Sequence, residues 1–434
     1  MHTSAIYQQL KKSLNNYIEQ GNTDFTVALS GGVDSVVLLY LMRALKADNP
    51  AINISAIYVN HGLSQYADNW QGFCKNVCID LEVPFEAAKV VIKPQSRTSL
   101  EAQARDARYK ALDEQSSKGS IILLGQHLND QIETFLLRLK RGSGLKGLGA
   151  MHKARLLQSG RVCFRPLLNV TRSDIEAFAA QFNIKHITDD SNTDERFDRN
   201  FLRSKIVPVL AERFNGFEQC TARSIELLQQ QQTLLDEYTE LDLNKCVNEH
   251  QALCISKISE YSPARIANIV RTWLALFTQV MPSQKQLEQI IDQAINAKND
   301  AQIRIDLLDG QIRRHQGDLY FVTPSEVLTD VELNHSELTL ADGRLLIKSI
   351  GCGLRPPYSN EQVIVRFNCN SARIKPLKKP GSNTVKHWFK DAKIAPWLRA
   401  SVPLIFYNDE LVQVVGYFIS ANHIDESGIF WECK

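Results

Sequence analysis

Apolar and polar residues follow two alternating patterns along the first 140 residues. Short apolar runs with the length of buried strands lie at 25–29, 52–59, 85–92 and 120–124. Stretches with helical periodicity lie between and after them, at 34–45, 65–81, 99–117 and 128–139. Because strands and helices alternate through short connections, the pattern predicts an α/β fold with a doubly wound parallel sheet. Ligands bind such sheets in the loops that follow the strands.

The pattern changes after residue 203. A stretch rich in Gln and Leu at 224–243 predicts a long helix, and two further helices are expected near Pro263 and Ser283, so this middle piece reads as all-α. From residue 303 short strands follow, with hairpin turns expected at Asp309-Gly310 and Gln316-Gly317.

The last hundred residues mix short strands with one helix, expected at 384–393. A chain of 434 residues is too long for one hydrophobic core. We therefore predict three domains: an α/β domain at 1–215, a helical linker and middle domain at 216–335, and a small basic α+β domain at 336–434.

One polar segment interrupts the apolar run from Val27 to Met42: Ser30-Gly31-Gly32-Val33-Asp34-Ser35. It lies between a predicted strand and a predicted helix. Glycines allow the backbone to approach a ligand, and free N–H groups at a helix start bind anions. A carboxylate beside phosphates is repulsive unless a divalent cation lies between them, so Asp34 suggests Mg²⁺. The spacing differs from that of the common nucleoside-triphosphatase loop.

The loop after the fourth predicted strand carries His127, Asp130 and Glu133. The two acids are three residues apart at a helix start and therefore share a face. Acids in that place also compensate the helix dipole, which is the ordinary alternative. Arg105 and Arg108 share a face of the preceding helix, where they could neutralise phosphate or form a salt-bridged surface.

Composition narrows the class of protein. The chain is 44% hydrophobic and 23% charged, as in ordinary globular proteins, and it has no apolar run long enough to cross a bilayer. A cytoplasmic location without membrane contact is expected. Nine scattered cysteines favour reduced thiols, and Cys74 and Cys78 are interpreted as buried thiols rather than metal ligands.

Basic residues concentrate in two segments, although the net charge is only +2. Residues 134–172 contain nine Lys or Arg and no acid, and residues 362–399 contain nine against one acid. Both segments indicate a polyanionic partner, with two solvated surfaces as the alternative. The second also carries Trp388, Phe389 and Trp397, of which at least one Trp is expected in a core. The candidate contacts are Arg141, Lys146, Lys153, Lys378, Lys379 and Lys386.

A series of motifs indicates a resemblance to one protein family. The loop at 30–35 is followed in order by "VNHGL", "EAQARDARY", "HLNDQIET", "RGSGLKGLGAM", "RPLL" and "DDSNTDERFDRNFLRSKIVPVL", and the tail contains "GLRPP" and "KHWFKDAKIAPWLRASVPLIFYNDELVQVVGYF". This series resembles the tRNA(Ile)-lysidine synthetases, which carry a pyrophosphate loop. The chain departs from the family pattern in two motifs. Asn60 stands where the family commonly has Asp, and Gln126 and Asn129 stand where it commonly has His and Asp.

The resemblance implies an adenine-nucleotide alpha-hydrolase-like fold and a defined reaction. Such enzymes adenylate the wobble cytidine of the CAU anticodon of tRNA(Ile) with ATP and Mg²⁺, releasing pyrophosphate. Free L-lysine then displaces AMP, which gives lysidine and changes codon reading from AUG to AUA and tRNA identity from Met to Ile. The sequence does not decide between a monomer and a homodimer.

The resemblance also implies roles for the singled-out residues. Ser30, Gly31, Gly32, Val33, Asp34 and Ser35 would hold pyrophosphate, with Mg²⁺ at Asp34. The base that deprotonates lysine would be one of His127, Asp130 and Glu133. Arg105, Arg108, Arg199 and Arg203 would contact the adenylate phosphate or the cytidine, which leaves its stack to react.

Three alternatives remain. A related synthetase acting on a small molecule gives no reason for a basic C-terminal domain. A tRNA-thiolating enzyme calls for a Cys-x-x-Cys pair or a persulfide cysteine near the loop. An RNA-binding module with a degenerate nucleotide site fits poorly with the complete loop and its neighbouring acids.

Overall fold

The computed structural model describes residues 1–62, 64–91, 100–188, 194–278, 280–295, 297, 303–324 and 326–434. Leu63 of the "VNHGL" motif, residues 189–193 of the "DDSNTDERFDRNFLRSKIVPVL" motif, and the predicted element ends at 92 and 99 lie outside the described residues. The chain divides into two units, Met1–Glu237 and Tyr238–Lys434.

The first unit contains a six-stranded sheet in the order β3-β2-β1-β4-β6-β5. Neighbouring strands are parallel except β5, which pairs antiparallel with β6. The strands are β1 (Asp24–Ala28), β2 (Asn53–Asn60), β3 (Phe85–Lys89), β4 (Ile121–Leu123), β5 (Ala154–Leu156) and β6 (Val162–Phe164).

Ten helices begin in the first unit: α1 (Ala5–Glu19), α2 (Val33–Asp48), α3 (Ala67–Asp80), α4 (Leu100–Gln115), α5 (Leu128–Lys140), α6 (Leu145–Leu148), α7 (Arg172–Gln181), α8 (Asp198–Phe201), α9 (Val207–Arg213) and α10 (Phe217–Cys246), counting those within the described residues. A single π-helical turn, Leu202–Ile206, joins α8 to α9. The predicted doubly wound parallel sheet is confirmed.

Alternate residues of the strands pack into two separate apolar clusters. Ile121 and Leu123 join a cluster with α1, α2, α3 and α7, whereas Ile122 and Leu124 join another with α4. Since helices cover both faces, most side chains of the central strands are apolar, which is why their sequences read as nearly continuous apolar runs. The polar loops therefore lie at the ends of the strands, at the edge of the sheet.

The second unit begins with a helical part and a small antiparallel sheet. Helices α11 (Ile255–Ile258), α12 (Pro263–Leu274) and α13 (Gln284–Ile290) share a core that includes the fully buried Trp273. The sheet has the order β7-β10-β9-β8, from β7 (Leu253–Cys254), β8 (Arg304–Asp306), β9 (Gln311–His315) and β10 (Asp318–Val322). Strand β7 therefore interrupts the piece expected to be all-α. Gln316 and Gly317 both have positive φ, of 53° and 89°, as expected for the second hairpin turn.

The rest of the second unit is rich in strands. One sheet has the order β11-β14-β17-β18-β19, a second β12-β13-β20 and a third β15-β16. The elements are β11 (Val331–Glu332), β12 (Glu337–Thr339), β13 (Leu345–Leu354), β14 (Val363–Arg366), β15 (Arg373–Ile374), β16 (Asn383–Thr384), α14 (Val385–Asp391), β17 (Leu404–Tyr407), β18 (Glu410–Val414), β19 (Phe418–Ile419) and β20 (Ile424–Cys433).

All nine cysteines are free. Cys74 and Cys78 are fully buried, and burial raises the pKa of each thiol to about 12. They are buried thiols, as the sequence suggested. Within the described residues, no helix combines the length and apolar character that a bilayer crossing requires.

Candidate active site

The glycine loop connects the end of β1 to the start of α2. Gly31 has φ of +86°, and a Cβ built on it would lie 2.6 Å from Ile187 Cδ1. Its carbonyl accepts a hydrogen bond of 2.9 Å from the Ile187 amide. Any side chain at this position would be strained and would also collide with the segment that holds the loop.

Hydroxyl groups stabilise the loop from inside. Ser35 Oγ accepts from the Ser30 amide at 3.1 Å and donates to the Gly32 carbonyl at 3.0 Å. Ser35 is therefore a support of the loop, whereas Ser30 is exposed to solvent. The side chain of Val33 is core, so its main chain is what can meet a ligand. No side chain caps the start of α2 at Gly32, which leaves the amides of the first turn available to an anion.

A second glycine allows β4 to approach the loop. A Cβ at Gly125 would lie 3.0 Å from the main-chain atoms of Asp34 and Ser35. This contact places the residues that follow β4, including His127 and Asp130, beside the loop.

Asp34 lies at the centre of this arrangement. Its Oδ2 accepts a 2.6 Å hydrogen bond from Arg172 Nη1, and His127 Nε2 lies 3.6 Å from its Oδ1. Oδ1 is buried and has no hydrogen-bond partner. Burial raises the pKa of Asp34 above its ordinary value, although His127 and Arg172 oppose the shift. A buried carboxylate oxygen without a partner is costly unless a ligand supplies one.

This oxygen fits a magnesium ion. No group of three or more His, Cys, Asp or Glu side chains within the described residues could form a complete metal site. Mg²⁺ in nucleotide sites needs no such group, because it is held by one or two carboxylates together with phosphates and water. Asp34 has the required oxygen at the phosphate loop.

His127 and Asp130 form a pair next to Asp34. His127 is buried, and its Nε2 lies 3.6 Å from Asp130 Oδ2 as well as from Asp34. The Asp130 carboxylate accepts from the His127 amide at 3.1 Å. Burial opposes ionisation of Asp130, but His127, Arg199, Arg203 and that amide outweigh it and hold its pKa below the ordinary value. Asp130 is therefore a charged group that faces the loop.

Glu133 has a different environment. It is 1% exposed and accepts from Arg199 Nε at 2.8 Å and from Arg203 Nε at 2.7 Å. Arg203 also donates to Asp130 at 3.2 Å. Both oxygens of Glu133 are thus occupied by guanidinium donors. The two arginines lie four residues apart, in α8 and the π-helical turn that follows it, so they present one face to α5.

Arg105 and Arg108 belong to a cluster of cations on α4. Arg105 and Arg155 lie over the Tyr109 ring, 5.5 and 5.0 Å from its centre, and Arg165 donates to the Tyr109 hydroxyl at 3.1 Å. Arg108 Nε is buried without a hydrogen-bond partner, and burial lowers the pKa of this side chain. No carboxylate among the described residues pairs with Arg105 or Arg108. The cluster is suited to an anionic ligand.

The two asparagines that depart from the family pattern have structural contacts. Asn60 donates to Asp68 Oδ1 at 2.9 Å and accepts from the Gly62 amide at 2.9 Å. Asn129 donates to Glu218 Oε1 at 2.6 Å and accepts from the Arg172 amide at 2.9 Å. Each amide uses both its donor and its acceptor.

The basic segments differ in how their cations are presented. Arg141, Lys146, Lys153, Lys378 and Lys386 are exposed, whereas Lys379 forms a 2.8 Å ion pair with Asp391. Trp388 and Phe389 belong to the core, as expected for at least one Trp. The glycine-rich part of the first segment contains the short helix α6, and Gln131 and Gln229 both hydrogen-bond to the Met151 carbonyl that follows it.

Sequence reasoning missed Arg172 and Arg165. Arg172 was counted only for its charge, although it pairs with Asp34 across 138 residues of sequence. Arg165 was part of the "RPLL" motif, but nothing in its spacing indicated a contact with Tyr109. The "RPLL" motif was the available sequence signal for both residues: it contains Arg165, and it ends four residues before Arg172.

Comparison with known proteins covers most of the chain. Family models match a PP-loop domain at residues 2–210, a TilS substrate binding domain at 253–320 and a TilS substrate C-terminal domain at 363–430. The tRNA(Ile)-lysidine synthase of Proteus mirabilis is 35% identical over 96% of this chain and 94% of its own. That of Photobacterium profundum is 37% identical over 99% and 100%. The loop, the neighbouring acids and these relatives agree: the chain belongs to the tRNA(Ile)-lysidine synthase family.

Proposed function

We propose that this chain carries out the reaction of its family, the ATP-dependent ligation of free L-lysine to C2 of the wobble cytidine in the CAU anticodon of tRNA(Ile). The observation that carries the proposal is the carboxylate of Asp34, with its unpartnered oxygen, inside the phosphate loop. We assign the chemistry to residues 1–215, and substrate binding to 216–335 and the basic residues of 336–434.

In the first step the C2 oxygen of cytidine attacks the α-phosphate of ATP, and pyrophosphate leaves. The amides of the first turn of α2 stabilise the charge that develops on the leaving group. Arg172 adds a cation beside them, since it already lies at Asp34. Mg²⁺, held at Asp34 when bound, would supply further neutralisation of the phosphates.

In the second step the ε-amine of lysine attacks C2, and AMP leaves. The amine must lose a proton, so it needs a carboxylate or imidazole within reach. Of the three candidates, Asp130 together with His127 is favoured. Asp130 accepts from one guanidinium, that of Arg203, whereas both oxygens of the buried Glu133 are held by Arg199 and Arg203. Glu133 then acts as a positioning residue for the two arginines. Arg105 and Arg108 are assigned to the phosphate of the adenylated cytidine.

Release of pyrophosphate from ATP tests this function. We expect pyrophosphate only when tRNA with a CAU anticodon is present, and transfer to a stable tRNA product only when L-lysine is added. Release without tRNA would favour a small-molecule synthetase. Dependence on a sulfur donor would favour thiolation, and tRNA binding without any turnover would favour a binding module.

Replacing Asp130 by asparagine is expected to separate the two steps. The amide keeps the hydrogen bond from the His127 amide but cannot take a proton, so adenylated tRNA should accumulate and lysine transfer should fall about 10²–10⁴-fold. Isolation of the adenylated tRNA after a single turnover measures this. If pyrophosphate release falls by the same factor, Asp130 belongs to the ATP site instead.

Neutralising Lys378 and Lys386 together is expected to weaken tRNA binding and to flatten its dependence on salt. Both are exposed, and loss of two phosphate contacts lowers the salt slope by about two. The matched control is Lys379→Gln, whose amine is already paired with Asp391, and it should change the slope little. An unchanged slope in the double variant would show that these charges do not contact tRNA.

A cytoplasmic location and a homodimer are further proposals. The first follows from the substrates, because tRNA, ATP and free lysine occur together in the cytoplasm. Light scattering of the purified protein tests the second.

A further inference from the structure

A groove lies in the second unit between β18–β19 and the end of β20. It has a volume of about 680 Å³, and Tyr417, Phe418 and Phe430 contribute aromatic rings to its lining. Tyr417 is 46% exposed, so its ring is available to a ligand. We call this feature the aromatic groove.

Trp431 is a buried part of the groove lining. Its side chain is only 3% exposed and belongs to the apolar core of this part of the chain. Its main chain is held on both sides by the Gln413 side chain, which accepts from the Trp431 amide at 3.0 Å and donates to its carbonyl at 2.8 Å. Trp431 and Gln413 therefore fix the lining, and Tyr417 is the ring that is open to a ligand.

Cations accompany the aromatic rings. Lys378 and Lys434 line the groove and are exposed, with Glu432 as an acid that also accepts from Ser349 at 3.3 Å. Lys378 belongs to the segment with nine Lys or Arg against one acid. Aromatic faces next to cations on a positively charged segment are the combination that binds unpaired nucleotides.

We propose that the aromatic groove binds one unpaired nucleotide of the tRNA. Its base stacks on Tyr417, and Lys378 contacts the neighbouring phosphate. A pocket of this size holds a single nucleotide, whereas a double helix cannot enter it. The inference rests on the proposed function for the identity of the RNA, but the groove belongs to the unit that does not contain the phosphate loop.

The test is equilibrium binding without ATP or lysine, followed by fluorescence anisotropy of labelled tRNA and of a short single-stranded RNA. Tyr417→Ala should weaken the binding of both RNAs about 5- to 150-fold, the range for loss of one stacked base. The dependence of binding on salt should stay unchanged, because no cation is lost. Lys378→Gln should lower the slope of that dependence by about one. Tyr417→Phe keeps the ring and should bind like the wild type.

Tyr358→Ala is the matched control, since Tyr358 is 62% exposed and stacks on Arg355 outside the groove lining. Wild-type affinity in Tyr417→Ala would overturn the proposal. So would equally tight binding of a blunt RNA duplex, or full competition by free AMP, which would mean a site for a mononucleotide. Because binding is measured without chemistry, failure here is distinct from a failure of lysine-dependent turnover.

Discussion

Replacing Asp34 by asparagine is expected to reduce tRNA-dependent pyrophosphate release about 10²–10³-fold, the usual effect of losing one group that stabilises developing charge. Asparagine keeps the shape of the side chain but removes the charge at the phosphate loop. Arg172 retains a partner in Glu176, at 2.7 Å, so the loop should keep its position. Exchange of labelled pyrophosphate into ATP, with tRNA present, measures the effect.

The same variant should not be less stable than the wild type. Burial raises the pKa of Asp34, so folding favours its neutral form, and any stability this gives at low pH is lost as the pH rises through the folded-state pKa. The asparagine amide is neutral, so at neutral pH the variant avoids the cost of burying a charged carboxylate. We therefore expect an equal or higher melting temperature together with the loss of activity. Exchange near the wild-type rate would exclude Asp34 from the adenylation step.

Replacing Glu133 by alanine is expected to cost the first unit about 2–3 kcal/mol and to lower its melting temperature by roughly 5–10 °C. The change leaves Arg199 and Arg203 without their shared carboxylate. The cost stays below the roughly 3–5 kcal/mol of a fully buried broken pair, because the two side chains are 26% and 38% exposed and water replaces part of the interaction. Both half-reactions should fall together, since both arginines lose their position.

Thermal and urea unfolding, with both half-reactions measured on the same preparation, check this result. Glu195→Ala is the matched control: its ion pair with Lys205 is exposed on both sides and should contribute less than about 1 kcal/mol. A stable Glu133→Ala variant that adenylates normally but fails to transfer lysine would contradict the positioning role and return Glu133 to the candidates for the base.

The strands and helices around the loop were predictable because they depend on local patterns. The alternation of Ile121, Ile122 and Leu123 between two apolar clusters produces the continuous apolar run that marks a central strand. Strands β5 and β6 were missed, since three-residue strands in a basic, glycine-rich segment carry no such run. Strand β7 was missed for the same reason, having only two residues.

The members of the site were predictable, but their pairings were not. Asp34, Asp130 and Glu133 stand out as acids near the starts of helices at one sheet edge. Whether an acid is free or neutralised depends on which cation reaches it, and Arg172 reaches Asp34 from a distant part of the chain. The same holds for the aromatic groove, because Phe418 and Phe430 come from β19 and β20, which belong to two different sheets.

The contacts of Asn60 constrain how this chain can change. Its amide donates to Asp68 and accepts from Gly62, whereas an aspartate, the residue common in the family, could only accept. Restoring the aspartate would bring two carboxylates together, with Lys89, 3.5 Å from Asp68, offsetting part of the repulsion. A single base change in the codon is enough for that reversal, yet it is expected to be harmful until Asp68 has changed. Positions 60 and 68 are therefore coupled: the order in which the two residues change decides whether an aspartate at position 60 is tolerated.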